Sequence, residues 1–279
     1  MGVQFGRKVT AIIGERNGEK IKIRNLRMSF QIEKTTKSDP NRATFTVYNL
    51  NENSRAKLEE AAELYLSIEA GYSDETKVIF SGDVDKIENK KTPTDWVTIV
   101  ETGDGKKDLT ETRLNKSYKK GTSVKTVIDD ALSAFTNLKN NGLPDGLIQS
   151  AKELVTGGTF SGKSKDILDK LLGEQGLEFS VQDDEVVITE KDKATNNDIY
   201  IINPNSGLIN SPAKTEEKNK EGKVVKGVTF TALLNPNLVP KQRVRVESRN
   251  ITGEYTIIKV NHVGDSQQGT FYTQVEAKE

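Results

Sequence analysis

Apolar and polar residues alternate with a period of two through much of the first hundred positions, as in Phe45 and Val47, in Leu64, Leu66, Ile68 and Ala70, and in Val97 and Ile99. That period turns successive side chains to opposite faces. From Arg7 to about Gly103 it therefore predicts half-buried antiparallel strands. Asn51 to Glu60 interrupts them with helix formers: Leu58, Ala61 and Ala62 fall at helical spacing, and Asn51 or Asn53 can cap the segment. Asp83 to Asp95, with Lys and Asn around Pro93, reads as a solvated hairpin connection.

After Gly103 the period changes. Val124, Val127, Ile128, Ala131, Leu132, Phe135 and Leu138 form one helical stripe, with Thr122 or Ser123 as its cap. A loop through Asn140, Asn141, Gly142, Pro144 and Gly146 leads to a polar stretch, Leu147 to Val155, of helical character. A second helix follows from Ser164 to Glu174, turning Ile167, Leu168, Leu171 and Leu172 to one side and closed by Gly176. Leu177 to Val181 and Glu185 to Thr189 read as short strands joined by a turn at Gln182, Asp183 and Asp184. Residues 109–197 are thus expected to form a small α+β insert, bounded by the polar run Lys191 to Asp198.

The chain is β again from Ile199. Ser211 to Gly222, rich in Lys and Glu, is expected as an exposed loop or arm. Val228, Phe230, Ala232 and Leu234, then Val244 and Val246, Ile258 and Val260, and Phe271, Thr273 and Val275 predict a second antiparallel unit, with turns at Asn235 to Pro240, Asn250 to Gly253 and Gly264 to Gly269. No sequence repeat is evident, yet the plan is symmetric in kind. The expected fold class is mainly β with an α+β insert, the β units at 1–108 and 198–279 flanking a helix-and-hairpin domain at 109–197.

Composition sharpens this picture. The 279 residues are 34% hydrophobic and 29% charged, which points to thin cores and to faces buried only on assembly. Lys and Arg number 41, as do Asp and Glu, so no net field draws in nucleic acid or an anionic membrane. With no cysteine, disulfides and thiolate metal sites are excluded. No run is long enough to span a membrane, and Met1 to Gly6 shows neither a signal-peptide core nor a myristoylation match.

The sharpest local motif is Gly157-Gly158-Thr159-Phe160-Ser161-Gly162-Lys163-Ser164, which fits a phosphate-cradling loop in which Gly157, Gly162, Lys163 and Ser164 would hold a nucleotide. It lacks the expected context, a buried parallel strand before it and crossover helices after it. The plainer reading is a loop with Ser161 or Ser164 capping the next helix. His262 is the sole histidine and reads as structural, for no nucleophile motif accompanies it. Asp183, Asp184 and Glu185, like Asp83 and Asp85, read as solvated turn residues rather than acid–base pairs. Asp104, Gly105, Lys106 and Lys107, and also Lys119 and Lys120, lack the aromatic neighbours of single-strand binders. Trp96 reads as a partly buried strand residue. No catalytic residue, metal or cofactor is expected.

The C-terminal unit carries a resemblance. Gly227-Val228-Thr229-Phe230-Thr231-Ala232-Leu233-Leu234-Asn235-Pro236, Val239-Pro240, Arg243-Val244-Arg245-Val246, Gly253-Glu254-Tyr255-Thr256-Ile257, Val260-Asn261-His262-Val263-Gly264-Asp265 and Phe271 to Ala277 resemble phage baseplate hub and late-control-type tail proteins. Ser164 to Leu172, Gly176-Leu177 and the hairpin are similar to that family's helix-and-hairpin module. Phe45-Thr46-Val47-Tyr48-Asn49-Leu50 and Phe80-Ser81-Gly82-Asp83-Val84 follow its pattern in the first unit.

The resemblance implies a structural subunit rather than an enzyme. It implies a homotrimer whose chains each carry two tube-like β-barrels, so that three chains present six to a sixfold tube. The implied partners are the tail tube protein, the spike and other baseplate proteins, in a virion tail assembled in the host cytoplasm. No lysozyme-like segment is visible. The rival readings are a P-loop enzyme, an insert that binds cell-wall glycan, and a tail-derived injection machine in place of a virus.

Overall fold

The computed structural model describes residues 6–73, 75–144, 146–147, 154, 156–191, 193–195, 198–218, 222 and 224–279. Most of the polar stretch Leu147 to Val155, part of the boundary run Lys191 to Asp198, and Met1 to Phe5 lie outside the described residues. The chain divides into two compact units, one of residues 1–35, 41–103 and 194–279, the other of residues 36–40 and 104–193.

The first unit is β. Its N-terminal half runs β1 (Lys8–Glu15), β2 (Lys20–Ile23), β3 (Met28–Thr35), β4 (Arg42–Tyr48), α1 (Glu52–Glu60), β5 (Leu64–Tyr72), β6 (Glu75–Lys91) and β7 (Trp96–Gly103). Asn51 caps α1 by accepting from the Ser54 amide at 2.8 Å. The expected hairpin connection from Asp83 is mostly strand, because β6 pairs with β7 as far as Lys91 opposite Trp96. Only Thr92 to Asp95 turn, closed by the Thr92 amide donating to the Asp95 carbonyl at 2.8 Å.

The second unit comprises α2 (Lys106–Glu111), β8 (Arg113–Tyr118), α3 (Val124–Ser133), β9 (Gly158–Lys163), α4 (Ser164–Gly173), β10 (Leu177–Gln182) and β11 (Glu185–Glu190). Its core is the apolar stripe of α3 and α4 against the hairpin, with Ile128, Leu132, Leu168, Leu172, Phe179 and Val181 all buried. Ser123 caps α3, which stops at Ser133 rather than running through Leu138. The reason is Asp108, which is 3% exposed. Its carboxylate accepts the amides of Asn137 and Leu138 at 2.7 and 3.0 Å and the Asn137 side chain at 3.0 Å. These bonds take the chain out of the helix while Phe135 and Leu138 stay in the core.

A second buried carboxylate organises the hairpin turn. Asp104, fully buried, accepts the amides of Asp183 and Asp184 at 2.8 and 3.0 Å. Both turn residues have positive φ, 55° and 68°, the geometry of a two-residue hairpin turn that Asp tolerates. The turn is therefore anchored rather than solvated, and Asp184 is 6% exposed. Gly105 has φ 61°, and a Cβ there would lie 2.8 Å from Leu138 Cδ2. Asp104 and Asp108 both belong to this compact unit, which by contacts runs from Asp104 to Lys193. Residues of the β3–β4 turn join it: Asp39 bonds Lys165 Nζ and Ser38 donates to Asp169, at 2.8 and 2.9 Å.

The chain then returns to the β unit with β12 (Ile199–Ile202), β13 (Leu208–Lys218), β14 (Val224–Leu233), β15 (Arg243–Glu247), β16 (Thr252–Asp265) and β17 (Phe271–Lys278). Ser211 to Lys218, expected as loop, is strand paired with β14. An edge strand needs a backbone partner but no apolar stripe, so the sequence hid it. The unit is not wholly antiparallel, since β12 runs parallel to β15. The apolar core falls into two clusters, one around Phe45, Ile68 and Phe80 that also takes in Leu234 and Phe271 of the C-terminal segment, the other around Phe230, Val244 and Val260. The two β segments share one continuous sheet, because β3 pairs with β16.

Comparing the ladders exposes a duplication. The order β3-β4-β7-β6-β5 matches β13-β14-β17-β16-β15, all antiparallel; beyond it the halves differ, since β1 joins β5 antiparallel and β12 joins β15 parallel. Thr44, Phe45 and Thr46 oppose Glu101, Val100 and Ile99 as Thr229, Phe230 and Thr231 oppose Glu276, Val275 and Gln274. Each long strand bulges at one equivalent residue, Asp85 in β6 and Ile258 in β16. Just past the bulge Lys86 faces Glu101, and Lys259 faces Glu276.

Replacing Asp108 by Ala strands two backbone amides in a buried setting, at a cost of about 3 kcal/mol. Urea unfolding of the full chain is expected to show that loss. Amide exchange should accelerate first at Asn137 and Leu138.

Candidate assembly interface

The surfaces set apart in this molecule are strand edges and the seam that closes one of them. Among the described residues, β2 pairs only with β1, β13 only with β14 and β12 only with β15. The far half of β6, Lys86 to Lys91, pairs with β7 on one side, while β5 stops opposite Asp83 on the other. Such edges present unpaired N–H and C=O groups and are templates for another strand. Their side chains are largely polar: Lys20 and Lys22 on β2, Lys214, Glu216 and Glu217 on β13. Edge strand β12 differs, exposing Ile199 and Ile201 at 37% and 50%.

The β3–β16 seam shows what a satisfied edge looks like. Residues Thr35 to Ser29 run opposite Lys259 to Asp265. Lys259 Nζ meets Glu33 Oε2 at 2.6 Å across it. Beneath the strands lie Lys34 and His262, 1% and 0% exposed, and Thr273 of β17. His262 Nδ1 shares a 2.9 Å hydrogen bond with Thr273 Oγ1, whereas Nε2 has no partner among the described residues. Burial, reinforced by the Lys34 charge, lowers the imidazole pKa from 6.5 to about 3, so the ring is neutral at ordinary pH. A buried histidine serving the strand is what its place beside Val260 suggested. Lys34 gave no signal, being indistinguishable in sequence from the exposed lysines around it.

The phosphate-loop residues do not form a loop. Gly158 to Lys163 is β9, antiparallel to β8, with Gly162 opposite Leu114 and Lys163 opposite Arg113. Ser164, the first residue of α4, donates its amide to the Thr112 carbonyl at 3.0 Å. Neither Ser161 nor Ser164 caps α4, whose N-cap is Lys163 without a side-chain bond. Ser161 Oγ instead donates to Asn115 at 2.6 Å. An extended, paired segment cannot wrap its amides around an anion as a phosphate loop does.

The remaining candidates are dispersed. Asp83 is bonded to Arg16 at 2.8 Å, and Asp85 sits at the β6 bulge. Glu185 accepts from the Asn141 side chain at 2.7 Å. Trp96 is half-buried at the start of β7, with the Arg55 guanidinium 4.1 Å from its ring centroid. Lys106 opens α2, while Lys119 and Lys120 are exposed between β8 and α3. No group of acidic or histidine side chains able to hold a metal occurs among the described residues, and no described helix is long and apolar enough to cross a membrane.

The fold is similar to that of the tail protein from Neisseria meningitidis MC58, with TM-score 0.64 and 11% identity over 99% of this chain and 97% of that one. It is similar to the 43 kDa tail protein of prophage MuSo2 from Shewanella oneidensis, with TM-score 0.65 and 9% identity over 98% and 96%. A third likeness is to an E. coli type VI secretion system component that itself resembles the T4 bacteriophage tail proteins gp27 and gp5, with TM-score 0.64 and 11% identity over 95% and 76%. At these identities the likeness is one of fold. No curated protein matches in sequence. The family model described as baseplate hub gp41 matches residues 7–277.

His262 gives the seam a pH signature. Between about pH 6.5 and pH 3 the unfolded chain takes up a proton on this ring that the folded chain refuses, so stability falls as pH drops through that window. His262→Asn copies the Asn89–Thr98 pair at the equivalent place in the first half. Urea midpoints at pH 7 and pH 4 are expected to lie closer together in the variant than in the parent.

Proposed function

The chain belongs to the baseplate hub gp41 family, and we propose that three copies close a ring between tail tube and spike, leaving a central channel. Its role is that of a structural subunit of a phage-type tail, in the baseplate of the virion. On this reading the work is mechanical and not enzymatic. One side of the ring docks the tail tube protein, the other the spike, and further baseplate proteins bind its rim. Assembly takes place in the host cytoplasm.

The observation that carries the reading is the duplicated sheet. Each chain has two β segments whose ladders match residue for residue through Thr44 to Thr46 and Thr229 to Thr231. We read 1–108 and 198–279 as two tube-like barrels flanking the 109–197 module. Three copies then supply six equivalent barrels, the number needed to mate a threefold part to a sixfold tube. Open sheet edges, costly in an isolated molecule, are the natural contacts of such a ring.

Light scattering followed by averaged electron-microscope images tests this directly, on the chain alone and mixed with its tube and spike proteins. A threefold ring in any of these samples is the expected result. A chain that stays single with both partners present overturns the reading.

A further inference from the structure

The duplication says which edges meet. Within one chain, the far half of β16 is flanked by β17 on one side and by β3 on the other. Among the described residues its counterpart, the far half of β6, is flanked by β7 alone, and the counterpart of β3 is β13, an edge strand. The duplicated sheet therefore contains one filled seam and the two separated halves of a second. We propose, resting on the ring reading above, that β13 of one copy pairs antiparallel with Lys86 to Lys91 of β6 in the next copy.

The internal seam fixes the register. Counting from the two bulges, Asn261 corresponds to Glu88 and His262 to Asn89. Counting through Thr44 and Thr229, Glu33 corresponds to Thr215 and Ile32 to Lys214. Because Asn261 faces Glu33 and His262 faces Ile32 in the chain, Glu88 faces Thr215 and Asn89 faces Lys214 between copies. By the same count Lys86 falls opposite Glu217. It occupies the place of Lys259, which already reaches a glutamate, Glu33, across the internal seam. The contact uses two different patches, one on each copy, and is therefore head to tail, the kind that closes a ring when the rotation permits.

Exposure agrees with this assignment. At the filled seam Ile32, Lys34, Val260 and His262 are buried. Their counterparts at the open seam are exposed, Lys214 and Glu216, or half-buried, Ile87 and Asn89. The β13 edge thus matches the missing neighbour in strand direction, in length and at the Lys86–Glu217 pair. The alternative, joining the two ends of the sheet through β13 and β2, has no counterpart inside the chain.

The absence of cysteine makes the test clean. Two double variants, Glu88→Cys with Thr215→Cys and Asn89→Cys with Lys214→Cys, place thiols on directly opposed positions, whose Cα atoms lie about 4.5–5.5 Å apart in an antiparallel ladder, within disulfide reach. A third, Lys22→Cys with Thr215→Cys, probes the end-to-end alternative. Each is mildly oxidised in the sample that yields rings and run on a denaturing gel without reductant. The expected result is a covalent trimer from at least one of the first two variants and monomer from the third. A ring that gives no cross-link with either pair, or that cross-links through Lys22 and Thr215, overturns the seam and leaves the hub reading standing. A chain that remains single with tube and spike present overturns both.

Discussion

The architecture depends on one stretch of backbone pairing, β3 against the far half of β16. Without it the chain would hold two open β segments, each with its own thin core, and two further unsatisfied edges. Pairing joins residues more than two hundred positions apart, so it is set by ladder geometry rather than by local propensity. The bulge at Ile258 lets it happen: β16 first serves β15, then turns to lie between β17 and β3. Lys34, His262 and Thr273 are sealed beneath that pairing, which is why the polar groups hardest to bury gather there.

How much of this could be read from the sequence follows from which forces leave a pattern. Strands with one buried face alternate, so β4, β5, β7, β14, β15 and β17 were legible. The helical stripes of α3 and α4 were too. What failed had no side-chain periodicity to offer. The far half of β6 and nearly all of β13 are held by backbone bonds and carry charged residues, so both looked like loops. The end of α3 was misplaced because a carboxylate sixteen residues before the helix, Asp108, takes the amides just after it. Asp104 and Asp108 are buried acceptors among apolar neighbours, and nothing in Asp104-Gly105-Lys106-Lys107 distinguishes them from solvated residues. The glycine-rich motif misled for the converse reason: Gly157 to Ser164 has the residue types of an anion cradle, but Gly158 to Lys163 has the backbone of a paired strand.

The insert shows how a small module with few apolar residues is kept in shape. Its apolar stripe assembles two helices and a hairpin, while two buried carboxylates fix the turns that connect them. Backbone amides accepted by an ionised side chain are strong, directional contacts. They specify loop conformations that apolar packing would leave open. In the chain the insert follows β7, a strand flanked by β4 and β6, and precedes β12.

The two halves of the duplication differ in the way the proposed second seam demands. The internal seam closes as the chain folds, so its residues are never required to be soluble as an open edge, and Ile32, Val260 and His262 are buried there. On the proposed ring, strands that wait in water for a second copy face a different constraint: an exposed apolar edge would pair with any chain it met. At the equivalent places stand Lys214, Ile87 and Asn89, two of them polar and the third only half-buried. What is retained is the part of the ladder that both halves use in the same way: the Thr-Phe-Thr triplets, the Lys–Glu pair past each bulge, and the buried threonines Thr98 and Thr273. Backbone register is preserved while edge side chains diverge, as the proposed ring requires if its geometry repeats six times and only half of its seams form within a chain.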